Sequence, residues 1–268
     1  MKYKIIVLDL DGTLTNSKKE ISQPTYEALM DIQKRGYKVV LASGRPTLGI
    51  TDLAKQLELE KYGGYILAYN GAKIISCATG ETIYEKTLPP EVIPTLFEVA
   101  CQHDVGIISY ETDKVIYGNR IDKYIELEAK INHVPIYMPD DFVKYLSYPV
   151  NKCLMTGEHE ILEKAEKVLK HKFNSLLSIY YSESFFLEIM PLIIDKATCL
   201  LRLLNTIGID SEEMICCGDG FNDISMIQVA GLGVAMENAK DIVKEAADFI
   251  TLSNDDDGIL HVINKFMR

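Results

Sequence analysis

Apolar residues fall along this chain in two alternating rhythms. Short continuous runs at residues 4–10, 37–42 and 65–69 read as strands buried on both faces. Between them the spacing turns helical, over residues 24–34, where Gly36 can end the helix, and over residues 48–57. Asn70-Gly71 then joins the third run to Lys73–Ser76, and that dipeptide predicts a two-residue hairpin. The alternation returns near the C-terminus. Helices are expected at Lys196–Ile207, 223–229, 239–246 and Gly258–Phe266, with strands at 214–217, 233–235 and 249–252. Strands alternating with helices imply right-handed crossovers and a parallel sheet.

The middle of the chain has a different pattern. Pro89-Pro90 and Pro191 bracket it. Strand-like runs fall at 105–110, 114–117, 151–156, 177–181 and 185–188, with helical patterns at 122–131 and 159–171. These can form a sheet of their own. The expectation is therefore a Rossmann-like α/β core, residues 1–83 and 191–268, split by an inserted α+β domain at residues 84–190. A length of 268 residues fits one to two domains.

Charge narrows the partners. Acidic residues outnumber basic ones 39 to 28, and the net charge of -11 disfavours nucleic acid. A small phosphorylated substrate stays open, because a metal and local charges can override the average. No apolar run approaches the ~20 residues of a membrane helix, so no membrane partner is expected. The N-terminus lacks the longer apolar region and small-residue cleavage site of a secretory signal, so the expected compartment is the cytoplasm. Cys77, Cys101, Cys153, Cys199, Cys216 and Cys217 show no C-x-x-C spacing and read as buried thiols in a reducing compartment. The histidines are scattered and suggest no zinc site. The sequence leaves the oligomeric state and the physiological substrate open.

In open α/β sheets, ligands gather outside the carboxyl ends of the strands. The first run delivers Asp9-Leu10-Asp11-Gly12-Thr13 there, and the second delivers Ser43-Gly44-Arg45. A later helix opens with Asp195-Lys196, and the run after it delivers Gly218-Asp219-Gly220-Phe221-Asn222-Asp223. Asp9, Asp11, Asp219 and Asp223 are then expected to converge with one lysine and one small hydroxyl. Like charges that close need a cation, and magnesium suits carboxylate and phosphate oxygens. Lys196 and Ser43 can neutralise and hydrogen-bond phosphoryl oxygens. A carboxyl two positions after the first can reach a leaving oxygen if the strand end curls, which Gly12 permits. Plainer readings stand beside these. Ser43, Asn222 and Asp223 can be turn or cap residues, a hairpin alone explains Asn70, and a salt bridge suits Arg45 as well as phosphate does. Asp255-Asp256-Asp257-Gly258 lacks the alternating ligands of a calcium loop and reads as a solvated turn.

Asp9-x-Asp11-Gly12-Thr13, Ser43, Lys196 and Gly218-Asp219-Gly220-x-Asn222-Asp223 resemble the four ordered motifs of the haloacid dehalogenase superfamily. The insert between the second and third motifs resembles the type IIB cap of its Cof-type sugar-phosphatase branch. The resemblance implies a magnesium-dependent phosphatase acting on small phosphorylated metabolites, sugar phosphates among them. It implies that Asp9 is the nucleophile and forms an aspartyl-phosphate, and that Asp11 protonates the leaving group and then activates water. Magnesium would be held by the carboxylates of Asp9 and Asp219 and the backbone carbonyl of Asp11. Leu10, Ser43, Gly44, Lys196 and Asn222 would contact phosphate, with Thr13, Arg45, Asn70 and Asp223 in support. The family often has glycine after the third-motif lysine, where this chain has Ala197. Two alternatives keep the same residues: a phosphohexomutase or phosphotransferase that passes the phosphoryl group to a sugar, and a non-enzymatic phosphate-binding module.

Overall fold

The computed structural model describes residues 2–111 and 113–267 of the chain. The chain divides into two compact units, Met1–Tyr84 with Asp195–Arg268, and Glu85–Ile194. In chain order the strands begin with β1 (Ile5–Leu8), β2 (Lys38–Ala42), β3 (Tyr65–Ala68), β4 (Lys73–Ser76) and β5 (Thr82–Glu85). There follow β6 (Gly106–Tyr110), β7 (Val115–Tyr117), β8 (Ile136–Tyr137), β9 (Cys153–Thr156), β10 (Leu177–Glu183) and β11 (Phe186–Pro191). The last are β12 (Met214–Gly218), β13 (Leu232–Ala235) and β14 (Phe249–Ile250).

The first unit is built on a sheet ordered β14-β13-β12-β1-β2-β3-β4-β5. From β14 to β3 every pairing is parallel, and β4 runs antiparallel to β3. β1 is fully buried along its length, as a continuous apolar run between two parallel neighbours requires. Ile5 and Val7 face one layer with Val40, Leu67, Leu200 and Leu203, the last two from the helix Lys196–Ile207. In register, Leu8 lies beside Cys217 on one side and Leu41 on the other. The chain therefore leaves β1, β2 and β12 at one edge of the sheet, which brings the loops after them together.

The connection from β3 to β4 departs from the expected two-residue hairpin. Ala68 pairs with Lys73, so four residues connect the strands. Tyr69, Asn70 and Gly71 all have positive φ, at 53°, 54° and 106°. The reason is tertiary. The Tyr69 N–H donates to the Arg45 carbonyl and the Asn70 N–H to the Ser43 carbonyl, and those bonds pull the turn away from a local geometry.

The second unit has a sheet ordered β10-β11-β9-β6-β7-β8. Its pairings are antiparallel except β7 with β8. Ile107, Cys153, Met155, Leu187 and Ile189 pack one face against Leu96, Val99, Leu162 and Leu169 of the helices Ile93–Gln102 and His159–Phe173. The first of those helices was not legible, because Pro94 in its first turn extends the proline punctuation before it. β8 was also missed, since two residues carry no period. Cys153, Cys199, Cys216 and Cys217 are buried and Cys77 is half-buried, but Cys101 is exposed. It sits on the solvent side of the amphipathic helix Ile93–Gln102, which corrects its reading as a buried thiol. Among the described residues no helix is long and apolar enough to cross a membrane.

Candidate active site

β1 ends directly before Asp9, whose N–H still bonds to the Cys217 carbonyl at 3.0 Å as an extension of the parallel ladder. The next residues turn sharply, with Leu14 N–H reaching back to the Asp9 carbonyl at 3.2 Å. Gly12 makes that turn with φ of 84°, and a Cβ there would lie 2.4 Å from Asp219 Oδ2. Only glycine gives both the left-handed backbone and the close approach of the two loops.

Lys196 opens its helix one residue after the capping Asp195, and its side chain is completely buried. Its ammonium donates to Asp9 Oδ1 at 2.6 Å, to Asp223 Oδ1 at 2.6 Å and to the Ala42 carbonyl at 2.9 Å. Three acceptors account for its three protons. In this arrangement Lys196 therefore grips Asp9 rather than offering a free donor to phosphate, a difference from the expected direct contact. Burial works against the Lys196 charge, but Asp223 and Asp9 outweigh it and hold the ammonium well above its ordinary pKa. Asp223 Oδ2 accepts the Asp219 N–H at 3.0 Å and the Gly220 N–H at 2.9 Å. Asp223 thus folds the fourth-motif loop around the lysine, with both its oxygens engaged. Asp219 is oriented by Thr13, whose hydroxyl donates to Oδ1 at 2.8 Å.

The carboxylates of Asp9, Asp219 and Asp223 offer oxygens within 4.8 Å of one another. Three carboxylates face one ammonium, so the cluster carries surplus negative charge. Burial first, and the charge of Asp223 next, push the Asp9 carboxyl well above the usual range, and Lys196 only partly opposes them. Asp219 is also raised, by burial and then by Asp223, with the Thr13 hydrogen bond opposing.

Asp11 does not join this cluster. Its carboxylate accepts Arg45 Nε at 2.7 Å and Arg45 Nη2 at 2.6 Å, and Lys19 Nζ at 2.7 Å. Burial would raise it, but Arg45 and Lys19 win and lower it below the ordinary value. The expected convergence of four carboxylates is therefore a convergence of three, and Arg45 spends its fork on Asp11. Lys19 was missed because it lies eight residues downstream of Asp11 in a turn with no periodic signal.

Ser43 is buried and its Oγ accepts the Arg45 N–H at 3.1 Å, which leaves the hydroxyl proton to donate. Asn222 donates through Nδ2 to Asn70 Oδ1 at 2.9 Å. Asn238, also missed from sequence, donates Nδ2 to the Gly12 carbonyl at 2.8 Å and so braces the turn after β1. No motif flagged it, since a lone asparagine after β13 reads as a helix-leading turn.

A family model of haloacid dehalogenase-like hydrolases matches residues 6–263. A crystal structure of a haloacid dehalogenase-like hydrolase from Bacteroides thetaiotaomicron is 47% identical, covers 98% of this chain and 99% of its own, and superposes with a TM-score of 0.96. The structure of BT4131, described as a subclass IIB sugar phosphatase, matches with a TM-score of 0.80 at 26% identity over 98% of this chain and 99% of that one. The Bacillus subtilis protein named 5-amino-6-(5-phospho-D-ribitylamino)uracil phosphatase YcsE is 30% identical over 98% of this chain and 96% of its own. With an ordered α/β core whose strand ends gather these motifs, the chain belongs to the haloacid dehalogenase superfamily, in its Cof-type branch, and is a phosphoric monoester hydrolase.

Proposed function

We propose that this hydrolase acts on small phosphorylated metabolites, sugar phosphates among them, through a phosphoryl group carried transiently on Asp9. The observation that carries the reading is the grip of Lys196 on Asp9 Oδ1 inside a cluster with surplus negative charge. That grip fixes the carboxylate and leaves Oδ2 to attack, while the surplus calls for a cation beside it.

The donor set suits magnesium, because every available ligand is an oxygen and the charge is unbalanced. The carboxylates of Asp9 and Asp219 and the backbone carbonyl of Asp11 would hold it. Bound there, it would neutralise charge on the phosphoryl oxygens. Asp223 stays with Lys196 and the two loop amides. The Leu10 and Gly44 amides, the Ser43 hydroxyl and the Asn222 amide are assigned to phosphate, and Lys196 acts on it through Asp9.

Asp9 attacks phosphorus as the bond to the leaving oxygen breaks, and that oxygen takes a proton from Asp11. Water then attacks the phosphorus, Asp11 takes its proton, and Asp9 is released with inorganic phosphate. Arg45 and Lys19 favour the ionised Asp11 that accepts the water's proton. Donation to a leaving group requires that Asp11 turn away from them. Specificity for the leaving group is assigned to the inserted unit, Glu85–Ile194. The subclass IIB name of one relative and the phosphorylated ribityl substrate named for another support a polyhydroxylated leaving group.

The test is a panel of phosphorylated metabolites, reading phosphate release with and without magnesium. Release that chelation removes and magnesium restores is expected. Full turnover in excess chelator, or isomerisation of a hexose phosphate in place of release, would overturn it.

A further inference from the structure

The turn between β3 and β4 holds two non-glycine residues in the left-handed region, Tyr69 and Asn70, followed by Gly71. Such a backbone costs free energy and persists only where the surroundings over-determine it. Here the surroundings are the loops of the active site. The Asn70 N–H donates to the Ser43 carbonyl at 2.9 Å, and the Tyr69 N–H to the Arg45 carbonyl at 3.0 Å. The Asn70 side chain lies against Gly44, where a Cβ would come within 3.2 Å of its amide. Its Oδ1 accepts the Asn222 amide from the loop after β12. One residue thus touches the loops after β2 and β12, which no backbone ladder joins at this point.

The asymmetry of an amide makes this contact informative. Asn222 can present either its oxygen or its nitrogen, and only the nitrogen can serve a phosphate oxygen. With the Asn70 oxygen turned toward it, Asn222 pairs through its nitrogen. Rotating Asn222 alone would set two carbonyl oxygens against each other and lose the bond. An amide nitrogen has a second N–H, which a phosphate oxygen could accept.

We propose that Asn70 is a positioning residue for phosphate: it fixes the Asn222 amide as a donor and ties it to the Ser43–Arg45 loop. It acts through Asn222 and touches no reacting atom. The left-handed backbone is what carries the side chain across to the neighbouring loop, and asparagine tolerates that conformation better than most side chains. The inference rests on the reading of Asn222 as a phosphate ligand, and the test separates the two.

The test is a double-mutant cycle of Asn70→Gly and Asn222→Ala, read as competitive inhibition by inorganic phosphate during magnesium-supported aryl phosphate turnover. Glycine keeps the positive φ, so the thermal midpoint of Asn70→Gly should stay near that of the parent while Asn70→Ala falls below it. The phosphate inhibition constant of Asn70→Gly should nonetheless rise about 3- to 10-fold, the worth of one hydrogen bond. In the Asn222→Ala background the same change should move it less than about 2-fold, because the residue it acts through is gone. Equal effects of Asn70→Gly in both backgrounds would overturn the positioning role while leaving Asn222 as a ligand. An Asn222→Ala variant with unchanged phosphate inhibition would remove the ligand role and the proposal with it. An Asn70→Gly variant indistinguishable from the parent in inhibition would show that only the backbone turn matters.

Discussion

Each unit of the molecule buries a lysine against carboxylates, and the two are built to different ends. In the second unit Lys152 is buried and bonds Glu188 Oε2 at 2.9 Å, with its ammonium 5.0 Å from the centroid of the Tyr110 ring. Ser182 donates to the other oxygen of Glu188 at 2.8 Å. Nearby Glu128 receives the Tyr110 hydroxyl at 2.8 Å and the Asn132 amide at 3.0 Å. Each carboxylate there meets side-chain donors from its own unit. In the first unit Lys196 meets two carboxylates while a third, Asp219, has Thr13 as its side-chain donor. A buried ion pair is therefore not by itself a sign of chemistry. What sets the first cluster apart is a third carboxylate and its place at the carboxyl ends of parallel strands, where the backbone has just run out of ladder.

The largest effect is expected for Asp9→Asn. Turnover should fall by on the order of 10⁴-fold or more, as when a nucleophile is removed, because no phosphoryl acceptor remains. Its stability in chelator should not fall, since the variant relieves repulsion from Asp223 and Asp219. Steady-state kinetics and thermal denaturation check the two halves, and a stable variant that keeps its activity would refute the assignment.

The Lys152 cluster should behave oppositely. Lys152→Met should destabilise the protein by about 3–5 kcal/mol, because it strands Glu188 in the interior. Adding Glu188→Leu should recover most of that loss, since replacing both partners of a buried pair is close to neutral. Denaturant unfolding of the three forms decides it. No comparable rescue is expected in the first unit, where the proposed chemistry needs the surplus charge.

Magnesium should distinguish the two clusters by linkage. At a hundred times its dissociation constant it should stabilise the parent by about 2.7 kcal/mol relative to chelator, and the Lys152→Met/Glu188→Leu form equally. Asp219→Asn should lose most of that gain. A thermal shift that survives Asp219→Asn would place the ion elsewhere. The smallest effect is expected at Arg45→Gln. Asp11 is more than a third exposed, so water screens the pair and the stability cost should be about 1 kcal/mol or less by chemical denaturation.

The alternation of apolar runs located most strands and helices of the first unit, because strands buried on both faces leave an unbroken signature; the half-exposed edge strand β5 and the one-turn helix Leu59–Tyr62 carry no such signature and were not found. The motif residues at the ends of β1, β2 and β12 were legible for the same reason, since topology alone brings those ends together. What the sequence hid was the direction of each side chain. Nothing local says that Arg45 turns to Asp11, that Lys196 spends all three protons on protein acceptors, or that Asn70 crosses to Asn222. Those depend on which loop arrives from a distance, and separations such as the 187 residues from Asp9 to Lys196 carry no periodic trace. In the second unit the Lys152 cluster was invisible for a related reason. Lys152, Glu188 and Glu128 lie on β9's approach, on β11 and on the helix Lys123–Ile131, and a lone charge beside an apolar run reads as a solvated end.

On the proposed mechanism Asp9 carries the phosphoryl group, while the Asp11 side chain, held apart from the cluster, moves protons. Asp11→Asn keeps the nucleophile and the backbone carbonyl. Its turnover of alkyl phosphates should drop by about 10²–10⁴-fold, the usual worth of a general acid. An aryl phosphate needs little protonation to leave, so its first step should persist while the second, lacking a base, stalls. Rapid quench of this variant with an aryl phosphate and magnesium, followed by intact-mass analysis and peptide mapping, is the direct test. A burst of phenolate and a protein heavier by one phosphoryl group located on Asp9 are expected. A burst without the adduct, or an adduct on another residue, would contradict it.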